Sequence, residues 1–339
     1  MLCVSDIGEF ALIKRIKELT DSLNNKSERI LVDSGDDTAA FTPRPGYEIL
    51  ITCDTMVEGR HYLKEYFTPF ETGRRAMVMN ISDIGAMGGM PVYAFISLGL
   101  NPSMPVIDME NIYKGFIHEL APFNAGIIGG NITRTDGPAF INVTLTGEIL
   151  KKDIVSRSGA EPGDAVLVTG YPGQAALGYR ILIDNDIHDK SPYNTLLDSY
   201  IRPDHRAVQG MALAESGMLS SMIDLSDGLS ADLNHILEDS DTGVEIYSEM
   251  LPVCTLLEKT ADYYRLDKYS LILGASDDYE LIFTCRPENT GKVEKILADL
   301  SCPVSRIGRI LDPEKGKRIV FKDGTSKELL TEGWDHFSK

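Results

Sequence analysis

The chain has no apolar run approaching the roughly 20 residues of a membrane-spanning helix, so a helical membrane protein is not expected. Its opening stretch, MLCVSDIGEF, has no basic segment and carries Asp6 and Glu9 where a secretory leader would be apolar, which predicts a cytoplasmic location. Positive charge is scarce. The 33 Lys plus Arg stand against 51 Asp plus Glu, a formal net charge of −18, and no basic cluster forms a stripe that would attract nucleic acid. A polyanion would be repelled unless a cation intervened. Cysteine is also sparse: Cys3, Cys53, Cys254, Cys285 and Cys302 are scattered without a C-x-x-C pair or a histidine at ligand spacing, which argues against zinc and against a disulfide framework. The sequons at Asn131 and Asn142 match an acceptor pattern that needs a secretory route.

Several catalytic signatures are missing as well. There is no G-x-x-x-x-G-K-[ST] loop, no G-x-G-x-x-G, no G-x-S-x-G elbow and no H-E-x-x-H helix, which excludes a P-loop, a Rossmann site, a hydrolase elbow and a zincin. What the chain does hold is carboxylates in small-residue turns and at strand ends: Asp36 and Asp37, Asp54, Asp83, Asp224 and Asp227, and Asp277 and Asp278. Two negative charges about 4 Å apart repel by roughly 1 kcal/mol in water and about 4 kcal/mol near a protein surface. A hard divalent cation would relieve this, and Mg²⁺ prefers carboxylates, water and substrate phosphates. Each acid alone also suits a turn or cap, Asp227 for instance ahead of a helix. Together they fit metal-assisted phosphoryl transfer, where positioning and charge neutralisation supply most of the catalysis.

The length of 339 residues predicts two lobes on a scale of about 150 residues each. In the first, Phe10, Ile13, Ile16, Leu19 and Leu23 have helical spacing and precede a polar NNKSE loop. YEILITCDTMVEG reads as a strand, ETGRRAMVMNISDIGA as a helix stopped by Gly88, Gly89 and Pro91, and Asn80 and Asp83 share one of its faces. Strands at VYAFISLGL, AGIIGGN and AFINVTLTGEI and a helix over 107–121 complete a lobe that ends near residue 150. RSGAEPGD, 157–164, is a turn-rich hinge. The second lobe reads as the strand AVLVTG, a helix over 172–184, a strand and acidic turn at SSMIDLSDG followed by a helix, the strand YELIFTCR, a helix over 288–300, and the strands RIGRIL and RIVFKDG.

Nine segments, SGDDTAAF, TCDTMVEGRHY, NISDIGAMGGMP, GGNITR, RSGAEPGD, IRPDHR, IDLSDGLSADL, SDDYELIFT and GWDHF, together resemble the thiamine-monophosphate kinase family of the aminoimidazole-ribonucleotide synthetase-like ATP-binding superfamily, in its order and over residues 34–337. The resemblance implies a two-lobed α+β fold. An N-terminal mixed-sheet lobe, 1–150, would bind ATP and Mg²⁺ and dimerise. A C-terminal α/β lobe, 151–339, would end in a substrate-site tail. It further implies direct transfer of the ATP γ-phosphoryl to thiamine monophosphate across a cleft bridged by several Mg²⁺ ions, with no dedicated catalytic base. By the same carry-over, Asp36, Thr52, Cys53, Asp54, Asp83, Asn131, Asp224 and Asp227 take metal positions. Tyr113, Gly130, Asn131, Arg157 and Ser226 take nucleotide positions, and His61, Asp277 and Trp334 the thiamine-phosphate positions. Each has a plainer reading too: His61 as a strand-end histidine, Trp334 as a C-terminal pin, Tyr113 as core, Arg157 as a surface charge.

Three positions depart from the family pattern. GGNITR puts Asn131 where GGDTTR has an acid, TCDT puts Cys53 where a threonine is usual, and ASDDYEL puts Asp277 in place of a glutamate. A neutral amide and a thiol are poorer Mg²⁺ donors than the groups they replace. Two alternatives therefore stand beside the kinase: a superfamily member that phosphorylates or activates another small molecule, and a non-catalytic nucleotide- or metal-binding relative.

Overall fold

The computed structural model describes residues 2–24 and 28–334, which form two compact units: Met1–Ile84 with Gly89–Lys152, and Gly85–Gly88 with Asp153–Lys339. The middle of the NNKSE loop and the last three residues of GWDHF lie outside the described residues.

The first unit opens with α1 (Val4–Asn24), followed by a short antiparallel ribbon of β1 (Ile30–Val32) and β2 (Ala40–Phe41). Its main sheet contains β3 (Tyr47–Val57), β4 (Met90–Leu100), β5 (Gly126–Arg134) and β6 (Phe140–Leu150) in the order β3-β6-β4-β5. Only β4 and β5 run parallel. Helices α2 (Pro69–Ala86) and α3 (Val106–Leu120) separate these strands in sequence. Alternation along β6 buries Ile141, Val143 and Leu145 and leaves Asn142 and Thr144 half-buried on the other face. One face of the sheet is thus core and the other is partly open. In α1 the expected apolar face is shifted: Phe10 is 86% exposed, whereas Leu12 and Thr20 are buried, with Ile16 and Leu19 half-buried between them. The true stripe follows 12, 16, 19, 20 and 23, the i, i+4, i+7, i+8 rhythm of a helix lying on a core, and Phe10 and Ile13 fall beside it.

The second unit is built on β7 (Ala165–Thr169), β8 (Leu219–Asp224), β9 (Gly243–Tyr247), β10 (Leu281–Cys285), β11 (Val304–Leu311), β12 (Lys317–Val320) and β13 (Ser326–Glu328). The strand order is β13-β12-β9-β11-β7-β10-β8, with only β12 and β9 parallel. Helices α4 (Gln174–Ile183), α5 (Asn194–Ile201), α6 (Ala207–Glu215), α7 (Leu229–Ser240), α8 (Thr255–Tyr264), α9 (Lys268–Leu273) and α10 (Thr290–Asp299) surround it. The apolar run AVLV is buried on both faces because the central strand β7 is covered on both. Val166 and Val168 pack with Leu229, Leu233 and Ile236 of α7. Ala165 and Leu167 pack with Leu213 of α6 and with Val293 and Leu297 of α10. Among the described residues no helix is long and apolar enough to cross a membrane.

Candidate active site

In the first unit, the SGDDTAAF segment is the loop between β1 and β2. Asp36 is exposed and its carboxylate accepts the N–H of Asp37 at 2.8 Å, the local turn bond that aspartate makes readily. The loop is anchored at its base by Glu148 of β6, 2% exposed, which takes the guanidinium of Arg29 and the backbone N–H of Arg44 at 2.9 Å. Sequence reasoning missed Glu148. Its only signal was an acid inside the otherwise apolar strand TLTGEIL.

The period of β3 divides the TCD triplet. Thr52 and Asp54 share a face, and the Thr52 hydroxyl donates to the carboxylate of Asp83 on α2. Cys53 points to the opposite, partly open face, where its thiol meets the Thr144 hydroxyl and the Asn142 amide, both at 3.3 Å. Asn131 stands in the cross-strand row of Ser97, Asn142 and Thr55. The structure therefore brings Thr52 and Asp83 together and places the Cys53 and Asn131 side chains on the opposite face of the sheet from them. Gly130, before Asn131, is obligatory: its φ is +155° and a Cβ there would lie 2.0 Å from the Ile96 carbonyl oxygen. His61 follows β3, and its Nδ1 accepts the Val57 N–H at 3.1 Å, which leaves Nε2 as the N–H donor. Tyr113 is 3% exposed on α3, its ring edge-on to Phe116 at 5.3 Å, and burial raises its phenol pKa. It is a core residue, the plainer of its two readings.

In the second unit, Asp224 is 5% exposed at the end of β8, and Ser226, Asp227 and Gly228 turn the chain into α7. Asp232, which sequence reasoning passed over as part of an ordinary helix, accepts the N–H groups of all three turn residues. Ligand atoms of Asp227, Asp232 and His235 lie within 4.8 Å of one another. Burial and the neighbouring Asp227 push the Asp232 carboxyl up to about 7 in spite of those three hydrogen bonds. The C-terminal tail closes on this turn: Trp334 donates its backbone N–H to the Asp227 carbonyl at 3.1 Å, and Ser230 exchanges hydrogen bonds with the Glu332 backbone, both at 2.9 Å. The Trp334 side chain is 46% exposed.

The SDDYEL segment is tied to the same turn. Tyr279 donates its N–H to the Leu225 carbonyl, and Leu225 donates to the Glu280 carbonyl, each at 2.8 Å. Asp278 caps α4 by accepting from Gly173 at 2.7 Å and Ala175 at 3.1 Å, and burial pushes its carboxyl up to about 6. Asp277 is half-buried beside it. Glu280 is buried and takes Arg206 in a bidentate pair at 2.7 and 2.6 Å, with the Thr169 hydroxyl donating at 2.5 Å. Arg157 pairs with Asp239 of α7 at 2.7 Å, both side chains about half exposed.

Within each unit the described site residues offer oxygen donors at strand ends and beside helices, with arginines at the margin. That is the inventory of a metal-dependent phosphoryl-transfer site. Comparison with known proteins agrees. Residues 35–149 match the AIR synthase related protein N-terminal domain, and residues 161–321 the AIR synthase related protein C-terminal domain. A thiamine-monophosphate kinase of Bacillus subtilis is 33% identical over 98% of this chain and 100% of its own length. The chain belongs to the thiamine-monophosphate kinase family. The crystal structure of thiamine-monophosphate kinase from Stenotrophomonas maltophilia is similar at a TM-score of 0.82, with 29% identity over 96% of this chain and 98% of that one. AaThiL complexed with AMPPCP and TMP is similar at a TM-score of 0.75, with 30% identity over 99% of both chains.

Proposed function

We propose that this protein is a thiamine-phosphate kinase: it transfers the γ-phosphoryl group of ATP to the phosphate of thiamine monophosphate, giving thiamine diphosphate and ADP. The observation that carries the reading is the full-length similarity to kinases of that name, at 33% identity over 98% of the chain, with AaThiL accommodating AMPPCP and TMP together. A phosphate monoester has a second pKa near 6, so the acceptor is already largely dianionic at neutral pH and needs no base. The barrier is the approach of two anions, and holding them in line supplies much of the rate.

The donor chemistry fits Mg²⁺. In the first unit, Asp36, Asp54 and Asp83 would supply carboxylates and Thr52 a hydroxyl. The Cys53 thiol and the Asn131 amide share the other face of the sheet, so Asn131 would offer its amide oxygen to a cation apart from the Thr52–Asp83 pair, and Cys53 would serve through its backbone. In the second unit, Asp224 and Asp227 would hold metal, a role that fits the crowding of Asp227, Asp232 and His235 within 4.8 Å. Bound Mg²⁺ would supply charge neutralisation at the phosphate oxygens. Gly130 lets the backbone approach the nucleotide, and Ser226 offers it a hydroxyl. Arg157 would reach a phosphate by exchanging Asp239, an exposed pair of low strength. His61 and Asp277 would contact the thiamine phosphate, and the exposed Trp334 ring would stack on its cationic thiazolium.

A cytoplasmic homodimer completes the proposal. The partly open face of the first unit's sheet, with Ile51 69% exposed on the edge strand β3, is a surface a second copy would cover. The test of function is an acceptor panel of thiamine, thiamine monophosphate and no acceptor, each with Mg²⁺ and ATP, quantifying ADP and thiamine diphosphate. Matched ADP and thiamine diphosphate with the monophosphate alone are expected. Nucleotide binding without thiamine diphosphate would overturn the acceptor assignment.

A further inference from the structure

The N-terminus of α7 has the components of a phosphate cradle. Ser226, Asp227 and Gly228 present three successive backbone N–H groups ahead of a 12-residue helix, an arrangement that ordinarily captures an anion. Here the three donors are already taken. Oδ2 of Asp232, one turn into the helix and 2% exposed, accepts them at 3.1, 3.2 and 3.0 Å. The turn is fixed from the other side too, since Gly228 stands at φ +123° and a Cβ there would lie 2.2 Å from the Gly274 carbonyl oxygen. Beside this filled cradle stand the Asp227 carboxylate and the His235 ring, within 4.8 Å of the Asp232 carboxylate.

We propose that Asp232 is a positioning residue that converts this helix N-terminus from an anion site into a cation site. Its carboxylate occupies the cradle from within, so phosphate has no free amide to bind there. The same three bonds lock the turn that presents Asp227 to a divalent cation and Ser226 to the nucleotide. Nucleotide therefore engages this turn only together with its metal. The inference deepens the kinase reading and rests on it for the roles of Ser226 and Asp227.

The test is calorimetric binding of AMPPCP to the full-length protein, with Mg²⁺ and separately with EDTA, alongside melting temperature and steady-state kinetics. Asp232→Ala should weaken Mg²⁺–AMPPCP binding at least tenfold and raise metal-free AMPPCP affinity as the freed N–H groups take phosphate. Asp232→Asn keeps an acceptor oxygen and should restore most of the metal-dependent affinity. Leu297→Ala, in the core away from this turn, controls for lost stability and should leave AMPPCP binding unchanged. If Asp232→Ala fails to fold, Asp232→Ser, polar but too short to reach three donors, carries the same expectations. A folded Ala or Ser variant that binds Mg²⁺–AMPPCP like the wild type would make Asp232 a helix cap and overturn the inference. A separate failure is readable from Asp227→Asn: unchanged Mg²⁺–AMPPCP binding there would overturn the metal role of the turn itself.

Discussion

Arg206 and Glu280 make the brace behind the SDDYEL segment open to a quantitative test. Glu280 is 7% exposed, and its two oxygens accept Nε and Nη2 of Arg206 at 2.7 and 2.6 Å while one also accepts from Thr169. Arg206→Met leaves a buried carboxylate with one hydroxyl partner, and Glu280→Met leaves a largely buried guanidinium; removing one partner of such a pair costs about 3–5 kcal/mol. The double variant buries no charge and strands mainly the Thr169 hydroxyl, a loss of about 1–2 kcal/mol. The singles should therefore each exceed the double, with a coupling energy above about 2 kcal/mol. Urea unfolding followed by Trp334 fluorescence suits the cycle, because Trp334 is the chain's single tryptophan and lies in the second unit, so the signal is not mixed with unfolding of the first. The Glu280 backbone carbonyl accepts from Leu225 beside the acidic turn, so a shift of this segment in either single variant would reach that turn and should raise the KM for thiamine monophosphate. Additive effects within about 0.5 kcal/mol would refute the reasoning, since the two charges would then not be holding each other.

Glu245, 6% exposed, is hydrogen-bonded by Tyr247, Arg318 and Arg309, and these bonds hold its carboxyl down to about 2 from 4.5. A depressed carboxyl contributes stability that is present above pH 4.5 and lost as pH falls through about 2. Allowing for the exposure of both arginines, Glu245→Gln should cost about 2 kcal/mol at pH 7 and little near pH 2, with the two denaturation profiles converging as acid is added. Asn131→Asp adds a negative donor and should lower the Mg²⁺ concentration for half-maximal rate several-fold; an unchanged titration counts against a metal role for this position. Trp334→Ala should raise the KM for thiamine monophosphate by about tenfold and that for ATP by less than twofold, and equal effects would point to loss of the tail's docking instead.

The sequence carried the motif-bearing turns well, because glycine, aspartate and the strand-to-turn transitions act locally. The strand AVLVTG and the helix after IDLSDG followed from period and apolar content alone. Partnerships across the sheet were not legible. Glu148 meets Arg29 from 119 residues away and Glu280 meets Arg206 from 74, and no local pattern marks an acid as one that will be buried and paired. Asp232 was hidden for the opposite reason. Its partners lie four to six residues back, and an aspartate in the first turn of a helix is so common that its threefold acceptance was invisible. The period of two also divides the TCD triplet, placing Cys53 opposite Thr52 and Asp54 and on the face of Asn131, a split that the motif by itself does not display. In α1, Phe10 and Ile13 match a helical rhythm, but Leu12 and Thr20 define the one that meets the core.

The most direct test of the central claim is the fate of the terminal phosphate of ATP. With γ-³²P-labelled ATP, Mg²⁺ and unlabelled thiamine monophosphate, the account predicts label in the terminal phosphate of thiamine diphosphate, one per ADP formed. Label recovered only as inorganic phosphate, with thiamine monophosphate unchanged, would contradict it.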